Sequence, residues 1–251
     1  MKISIFQKGF NYSQDGPGNR LVYHLQGCNM RCPWCANPEG MKKESQISTD
    51  QNLYFFCKAY TIKELIDEVK RSSLLFFDGG GVTLTGGEVT LQLEAVEELL
   101  SGLKSSKIHT AIETNASHPD LEKLFSLIDF LIMDFKHYDE KRHKEVTGIS
   151  NKIIKENILK ALQNHPRILI RIPIIKGFND TKEDALGFIS FLKQESTDRA
   201  SFEFLPYHEY GKEKWEQCKM HYTMEDAFVS EDTILMYEKL FKENDLRVTR
   251  T

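Results

Sequence analysis

Residues 27–35 read Gly27-Cys28-Asn29-Met30-Arg31-Cys32-Pro33-Trp34-Cys35, and this short stretch governs how the rest of the chain is read. Cys28, Cys32 and Cys35 form a C-x3-C-x2-C array, so three thiolates on one loop can converge on a single inorganic centre. A structural zinc site closes on four ligands, and a [4Fe–4S] cluster held only for electron transfer likewise takes four cysteines. Three protein ligands leave one iron open, and an open coordination position is where a small molecule can bind and react. Two plainer readings stand beside this one: a zinc knuckle completed by Cys57, Cys218 or one of the 8 histidines, or a disulfide with a spare thiol. Neither accounts for the downstream residues.

The 251 residues, 40% hydrophobic and 28% charged, fit one sizeable α/β domain with a proper core. There is no apolar run near the ~18 residues of a membrane span, and Met1-Lys2-Ile3-Ser4 does not open a secretory leader, so a cytoplasmic protein is expected. Five cysteines, an odd and clustered count, argue for a reducing compartment and against a disulfide framework. A net charge of −4 without a long basic run argues against nucleic acid as a partner.

Along the chain, residues 3–6 read as a short strand, and Asp15-Gly16 and Pro17-Gly18 mark a loop over 11–19. Residues 21–25 form a strand that runs into the cysteine loop. Residues 36–60 are the least patterned, polar at 42–51 and apolar at 53–57. Thr61-Ile62-Lys63-Glu64 matches a capping box, which predicts a helix to about residue 72. A strand over 82–84 leads to Thr85-Gly86-Gly87-Glu88, where paired glycines let a backbone approach a ligand closely. A tight strand-to-helix turn would use the same residues.

From there helices over 91–103, 120–127, 152–163 and 182–193 alternate with strands over 108–112, 130–135, 168–174 and 201–205, and a helix over 232–241 follows. Such alternation predicts parallel strands with crossover helices. Six strands from residue 21 onward are fewer than the eight of a closed barrel, so an incomplete (β/α)6 TIM-like barrel, open on one side, is expected.

In parallel barrels the active site forms at the C-terminal strand ends. Here those ends carry the cysteine loop, Gly86-Gly87-Glu88, Glu113-Thr114-Asn115, Asp134 with Lys136, Arg171 and His208. Asp134 and Lys136 alternate onto one face, and their plainest reading is a surface ion pair. Arg171, in the core-like run Ile170-Arg171-Ile172-Pro173, must pair with a carboxylate such as Glu113 or Glu203 or else meet a ligand.

The array with Trp34 just before its third cysteine resembles the signature of the radical S-adenosylmethionine (SAM) enzymes. Asp15-Gly16-Pro17-Gly18 and Gly27-Cys28-Asn29-Met30-Arg31-Cys32 resemble more narrowly the glycyl-radical-enzyme activating enzymes, of the type that includes the pyruvate formate-lyase activases. Asp134-x-Lys136 and Leu205-Pro206-Tyr207-His208 match the same family.

The resemblance implies a radical SAM core carrying one [4Fe–4S] cluster on Cys28, Cys32 and Cys35, with the amino and carboxylate groups of SAM chelating the open iron. Reductive cleavage of SAM would give a 5′-deoxyadenosyl radical, which takes a hydrogen atom from a glycine of a partner glycyl radical enzyme. It also implies cofactor contacts from Trp34, Ala36, Gly86, Gly87, Glu88, Glu113, Asn115, Asp134, Lys136 and His208, and substrate-side roles for Asp15 and Arg171. No residue is required as a general acid or base, because the cofactor is the reagent.

A flavodoxin or ferredoxin-like electron donor belongs to the same expectation, as does a monovalent cation near Glu113. The chain reads as a single domain over 1–251, with an N-terminal strand and loop over 1–19. Its variable segment, 36–60, lacks the ferredoxin-type cluster insert, since it holds only Cys57, which reads as a buried, inert thiol. Two residues depart from the family pattern: Glu113 stands where many relatives have Asp, and Ala36 where the pyruvate formate-lyase activase has a histidine beside its partner peptide. The partner therefore need not be pyruvate formate-lyase. The competing readings are a radical SAM enzyme acting on a small molecule and a non-catalytic zinc or electron-transfer module.

Overall fold

In the computed structural model, residues 1–43 and 57–251 are described. Most of the segment expected to be variable therefore lies outside the described residues. The strands are β1 (Lys2–Tyr12), β2 (Asn19–Leu25), β3 (Lys58–Thr61), β4 (Gly81–Gly86), β5 (Thr110–Thr114), β6 (Phe130–Asp134), β7 (Ile168–Ile174) and β8 (Ala200–Pro206). They join one sheet in the order β3-β1-β2-β4-β5-β6-β7-β8. The six strands β2 and β4 to β8 run parallel, which is the open (β/α)6 arrangement read from the alternation.

The sequence did not foretell the antiparallel extension at one edge, where β1 pairs with β2 and β3 pairs with β1. β1 is far longer than the four residues expected, because its second half is polar and mostly exposed and so carries no core pattern. β3 has only four residues, none of them buried.

The helices are α1 (Ile62–Arg71), α2 (Leu93–Ser105), α3 (Glu140–Thr147), α4 (Lys152–Asn164), α5 (Lys182–Leu192), α6 (Lys212–Gln217) and α7 (Glu231–Glu243). Residues Leu121–Leu127 form a 3-10 segment instead of the α-helix expected there. α3 and α6 escaped sequence reading, since one is almost wholly polar and the other spans only six residues.

Side-chain alternation along the parallel strands builds the interior in layers. On β6, Leu131 and Met133 face the helices and join the main core, whereas Phe130 and Ile132 meet Ala111 and Leu169 in a separate apolar cluster. Two residues further along the same strand faces stand Glu113, Asp134 and Arg171. An apolar floor thus lies beneath a charged layer at the C-terminal strand ends, and polarity increases toward the mouth.

The expected capping box at α1 is present: Thr61 Oγ1 accepts from Glu64 N at 3.2 Å, and Glu64 Oε2 accepts from Thr61 N at 2.7 Å. Thr61→Ala should cost about 1 kcal/mol in chemical denaturation. An unchanged midpoint would show that the cap contributes nothing.

Candidate active site at the C-terminal strand ends

The cysteine loop leaves β2 and folds back on the turn that follows it. Gly27 N donates to Gly40 O at 2.8 Å and Cys28 N to Met41 O at 3.1 Å. The Gln26 side chain donates to Glu39 O at 2.9 Å and to Lys42 O at 2.7 Å. Within the loop, Met30 N points at Cys28 Sγ and Asn37 N at Cys35 Sγ, each at 3.4 Å. All five cysteines are free thiols, which removes the disulfide reading.

β4 ends against the root of this loop. Gly87 N donates to Leu25 O at 2.8 Å and Glu88 N to Gly27 O at 2.7 Å. A Cβ on Gly87 would stand 2.1 Å from Gly27 O, so a residue with any side chain would push the two segments apart. Gly86 and Gly87 line the mouth, but Glu88 does not. Its fully buried carboxylate accepts from Thr90 N at 3.0 Å, Thr114 Oγ1 at 2.6 Å and Asn115 N at 2.7 Å. The Glu88 side chain is thus turned away from the pocket and forms a brace between the ends of β4 and β5.

One pocket of about 230 Å³, far larger than a lone ion needs, gathers nearly all the remaining expected residues. Cys28, Cys32, Trp34, Cys35 and Ala36 form one wall, Gly86, Gly87, Glu113 and Asn115 a second, and Asp134, Lys136 and His208 a third. Lys136 Nζ donates to Asp134 Oδ2 at 2.8 Å with its side chain only 10% exposed, so this pair sits in the mouth and not on the outer surface. Burial alone would depress the Lys136 ammonium, but Asp134 and the thiols of Cys32 and Cys28 outweigh it and hold Lys136 above its usual value. Burial lowers the His208 pKa. Met30, Asn37, Thr85, Thr114, Pro173, Ile175, Leu205, Pro206 and Tyr207 complete the lining. The sequence reading quoted all of these but Asn37 and Ile175 within its motifs, though without a role for them; Ile175 directly follows β7, a strand-end position that could have found it.

Arg171 and Asp15 lie outside the pocket lining, beneath it. Arg171 donates to Glu113 Oε1 at 2.6 Å, Glu203 Oε2 at 2.8 Å and Gln14 O at 2.5 Å. Of the two fates expected for it, the arginine takes carboxylate partners, and both at once. Burial would raise Glu113, but Arg171 and the Thr85 hydroxyl, 2.7 Å away, more than reverse this and hold the acid below the usual carboxylate range. Asp15 is pushed up by burial and by Glu113, although Asn11 bonds it at 2.5 Å. Cys57 is half-buried, not buried as expected, and neither it nor Cys218 lines the pocket.

The donor set fits an iron–sulfur centre with an open position. Burial pushes the Cys28 thiol up and drives Cys32 and Cys35 to about 12, with Cys28 adding repulsion at Cys32 and both adding it at Cys35. As neutral thiols they need no partner, but as thiolates three such groups around one cavity are tolerable only beside a cationic centre. Among the described residues no three His, Cys, Asp or Glu side chains already stand around a single ion position, so Cys28, Cys32 and Cys35 share a pocket lining without forming a preassembled ligand set. A zwitterionic sulfonium such as SAM finds both signs of charge at Asp134 and Lys136, exposed backbone at Gly86-Gly87 and apolar surface at Ile175 and Leu205.

Comparison with known proteins agrees with this site. The Radical SAM superfamily model matches residues 22–189, well over half of the chain. The 4-hydroxyphenylacetate decarboxylase activating enzyme of Clostridioides difficile is 32% identical, the match covering 92% of this chain and 90% of that one. The pyruvate formate-lyase-activating enzyme of Staphylococcus aureus is also 32% identical, over 87% of this chain and 86% of that one. Among solved structures, a domain of a pyruvate-formate lyase-activating enzyme from Bacteroides vulgatus superposes with a TM-score of 0.56 at 25% identity, covering 68% of this chain and 98% of that one. QueE from Escherichia coli shares the fold, with a TM-score of 0.61 at 13% identity over 99% of this chain and 93% of that one.

The chain belongs to the radical SAM superfamily, whose members carry a [4Fe–4S] cluster and use SAM. Within it, this protein is one of the glycyl-radical-enzyme activating enzymes.

Removing Arg171 would leave two buried carboxylates facing each other without a cation, so Arg171→Met should destabilise the protein by about 3–5 kcal/mol near neutral pH. Glu113 has a depressed folded pKa, so the stabilisation it gains from Arg171 is fully present above its unfolded pKa of about 4.3 and is lost as pH falls through the lower folded value. Denaturation of both proteins across pH 3–7 should show the gap closing on acidification; equal stability at pH 7 would contradict the network.

Proposed function

We propose that this chain takes a hydrogen atom from a backbone glycine of a partner glycyl radical enzyme, pyruvate formate-lyase or a relative, using one [4Fe–4S] cluster and SAM. The observation that carries this reading is one pocket lined together by Cys32, which is buried, by the half-buried Cys28 and Cys35, and by the oppositely charged pair Asp134 and Lys136. When bound, the cluster and SAM supply homolytic chemistry that ends in a 5′-deoxyadenosyl radical. Everything else asked of the protein is binding, orientation and shielding.

Cys28, Cys32 and Cys35 ligate the cluster, and Cys57 and Cys218 take no part in it. The Gly86-Gly87 backbone, Asp134, Lys136 and His208 position SAM, with Asn115, Glu113, Trp34 and Ala36 around it. Asn115 Nδ2 stands 3.9 Å from Cys28 Sγ and 3.0 Å from Asn29 Oδ1, which ties the second wall to the cysteine loop. Glu88 acts through its brace, by fixing the main chain at Asn115. Trp34, Ile175, Leu205 and Tyr207 keep water from the reacting centre.

Asp15 and Arg171, beneath the pocket lining, would serve the partner's glycine loop from below, Arg171 acting together with Glu113. Ala36 leaves space where a histidine would otherwise meet the partner, which favours a partner other than pyruvate formate-lyase itself. A monovalent cation beside Glu113 would have to share carboxylate oxygens that already accept from Arg171 and Thr85. A flavodoxin or ferredoxin-like protein would supply the electron in a reducing, cytoplasmic setting, in keeping with five free thiols. Nucleic acid has no part in this reading. Among the described residues no helix is long and apolar enough to cross a membrane.

Single replacement of Cys28, Cys32 or Cys35 by Ala, with anaerobic reconstitution, should abolish both cluster retention and formation of 5′-deoxyadenosine. Full turnover in any one variant would overturn the ligand assignment. In the wild type, mixing with candidate partners should produce the electron paramagnetic resonance signal of a glycyl radical.

A further inference from the structure

Against the cysteine loop, from residues outside the pocket lining, α6 makes a set of contacts that the proposed reaction does not use. Trp215, 6% exposed, donates its indole N–H to Cys35 O at 2.9 Å. Lys214 Nζ donates to Glu39 Oε1 at 2.7 Å and to Asn37 Oδ1 at 3.1 Å. The Glu39 side chain is 1% exposed, so it needs a cation to be tolerated, and Lys214 supplies it. The approach is close enough that a Cβ on Gly211 would stand 2.6 Å from Cys35 O and 2.7 Å from Ala36 Cα. Three consecutive features of one short segment thus grip residues 35–39.

We infer that α6 is a positioning clamp: Trp215 and Lys214, neither of which lines the pocket, fix the 35–37 backbone so that Asn37 N–H points at Cys35 Sγ, and thereby raise the reduction potential of the centre that Cys35 ligates. The inference rests on the cluster reading above. Asn37 N lies 3.4 Å from that sulfur. An N–H aimed at a ligating sulfur stabilises the extra negative charge of the reduced cluster, so such bonds raise its potential. The direction of that N–H depends on the two preceding peptide planes, the first of which carries the carbonyl bonded by Trp215. The side chain of Asn37 itself is bonded by Lys214. The segment that carries the clamp also carries His208 into the pocket, so one stretch of chain sets both the back of the loop and a SAM-side wall.

A clamp of purely mechanical value would lower the melting temperature when cut and leave the potential of the folded protein alone. Trp215→Phe keeps the ring and removes the donor, leaving the Cys35 carbonyl without its partner. Lys214→Met leaves Glu39 uncompensated beneath the loop and frees Asn37, whereas Lys214→Arg preserves the charge.

The test is anaerobic reconstitution of wild type, W215F, K214M and K214R, with iron and sulfide counted per chain. A redox titration followed by electron paramagnetic resonance, without SAM or partner, then gives each potential. A wild type that retains no cluster would overturn the functional reading beneath the clamp. With the cluster present in the wild type, W215F and K214M should titrate at more negative potential, and K214R should match the wild type. Should W215F fail to fold, the contrast between K214M and K214R decides. W215F and K214M titrating at the wild-type potential would overturn the inference.

Discussion

Three cysteine sulfurs enclosed together in one pocket, each pushed toward the neutral thiol by burial, are the constraint on which this structure depends. Thiolates so placed are tolerable only around a cationic centre. The chain invests heavily in keeping them there: the loop is stitched to the 38–41 turn on one side, to Gly87 and Glu88 on a second and to α6 on a third. Residues remote in sequence thus converge on nine residues of loop, and Glu88 carries the tie onward to β5.

The same economy governs charge. An apolar floor of Ala111, Phe130, Ile132 and Leu169 closes the interior, and the Arg171 network with Glu113 and Glu203 lies directly above it. Glu113 belongs to both levels, as a partner of Arg171 and as a wall of the pocket. Changes at the level of Arg171 are therefore felt at the mouth through Glu113. Asp134 and Lys136 form a second compensated pair higher up, so the cavity presents both signs with little net charge, which suits a zwitterionic sulfonium better than a simple anion.

Much of this was legible in the sequence because strong periodic signals lie where the fold needs them. The alternation of apolar strands and amphipathic helices gave the six parallel strands, the spacing of Cys28, Cys32 and Cys35 gave one wall of the pocket, and the family resemblance, not the local pattern, singled out Gly86-Gly87 as the second. What escaped was whatever lacked such a signal. β3 is short and unburied, α3 is polar but for Val146, and the second half of β1 is mostly solvated. Side-chain direction was a further blind spot. Glu88 adjoins two pocket glycines yet points inward, because it satisfies main-chain and hydroxyl donors at the end of β5 that no local pattern announces. Arg171 was correctly confined to two fates, but only the packed strands could show that Glu113 and Glu203 flank it together.

The central claim is that the metal centre keeps one corner free of protein ligands for SAM. Hyperfine spectroscopy of the reduced, reconstituted protein with SAM labelled at its amino nitrogen and carboxylate oxygens addresses it most directly. The account predicts coupling from both labelled groups to the cluster. Absence of both couplings in a protein that has bound SAM, with a fourth protein donor detected at that iron, would contradict it.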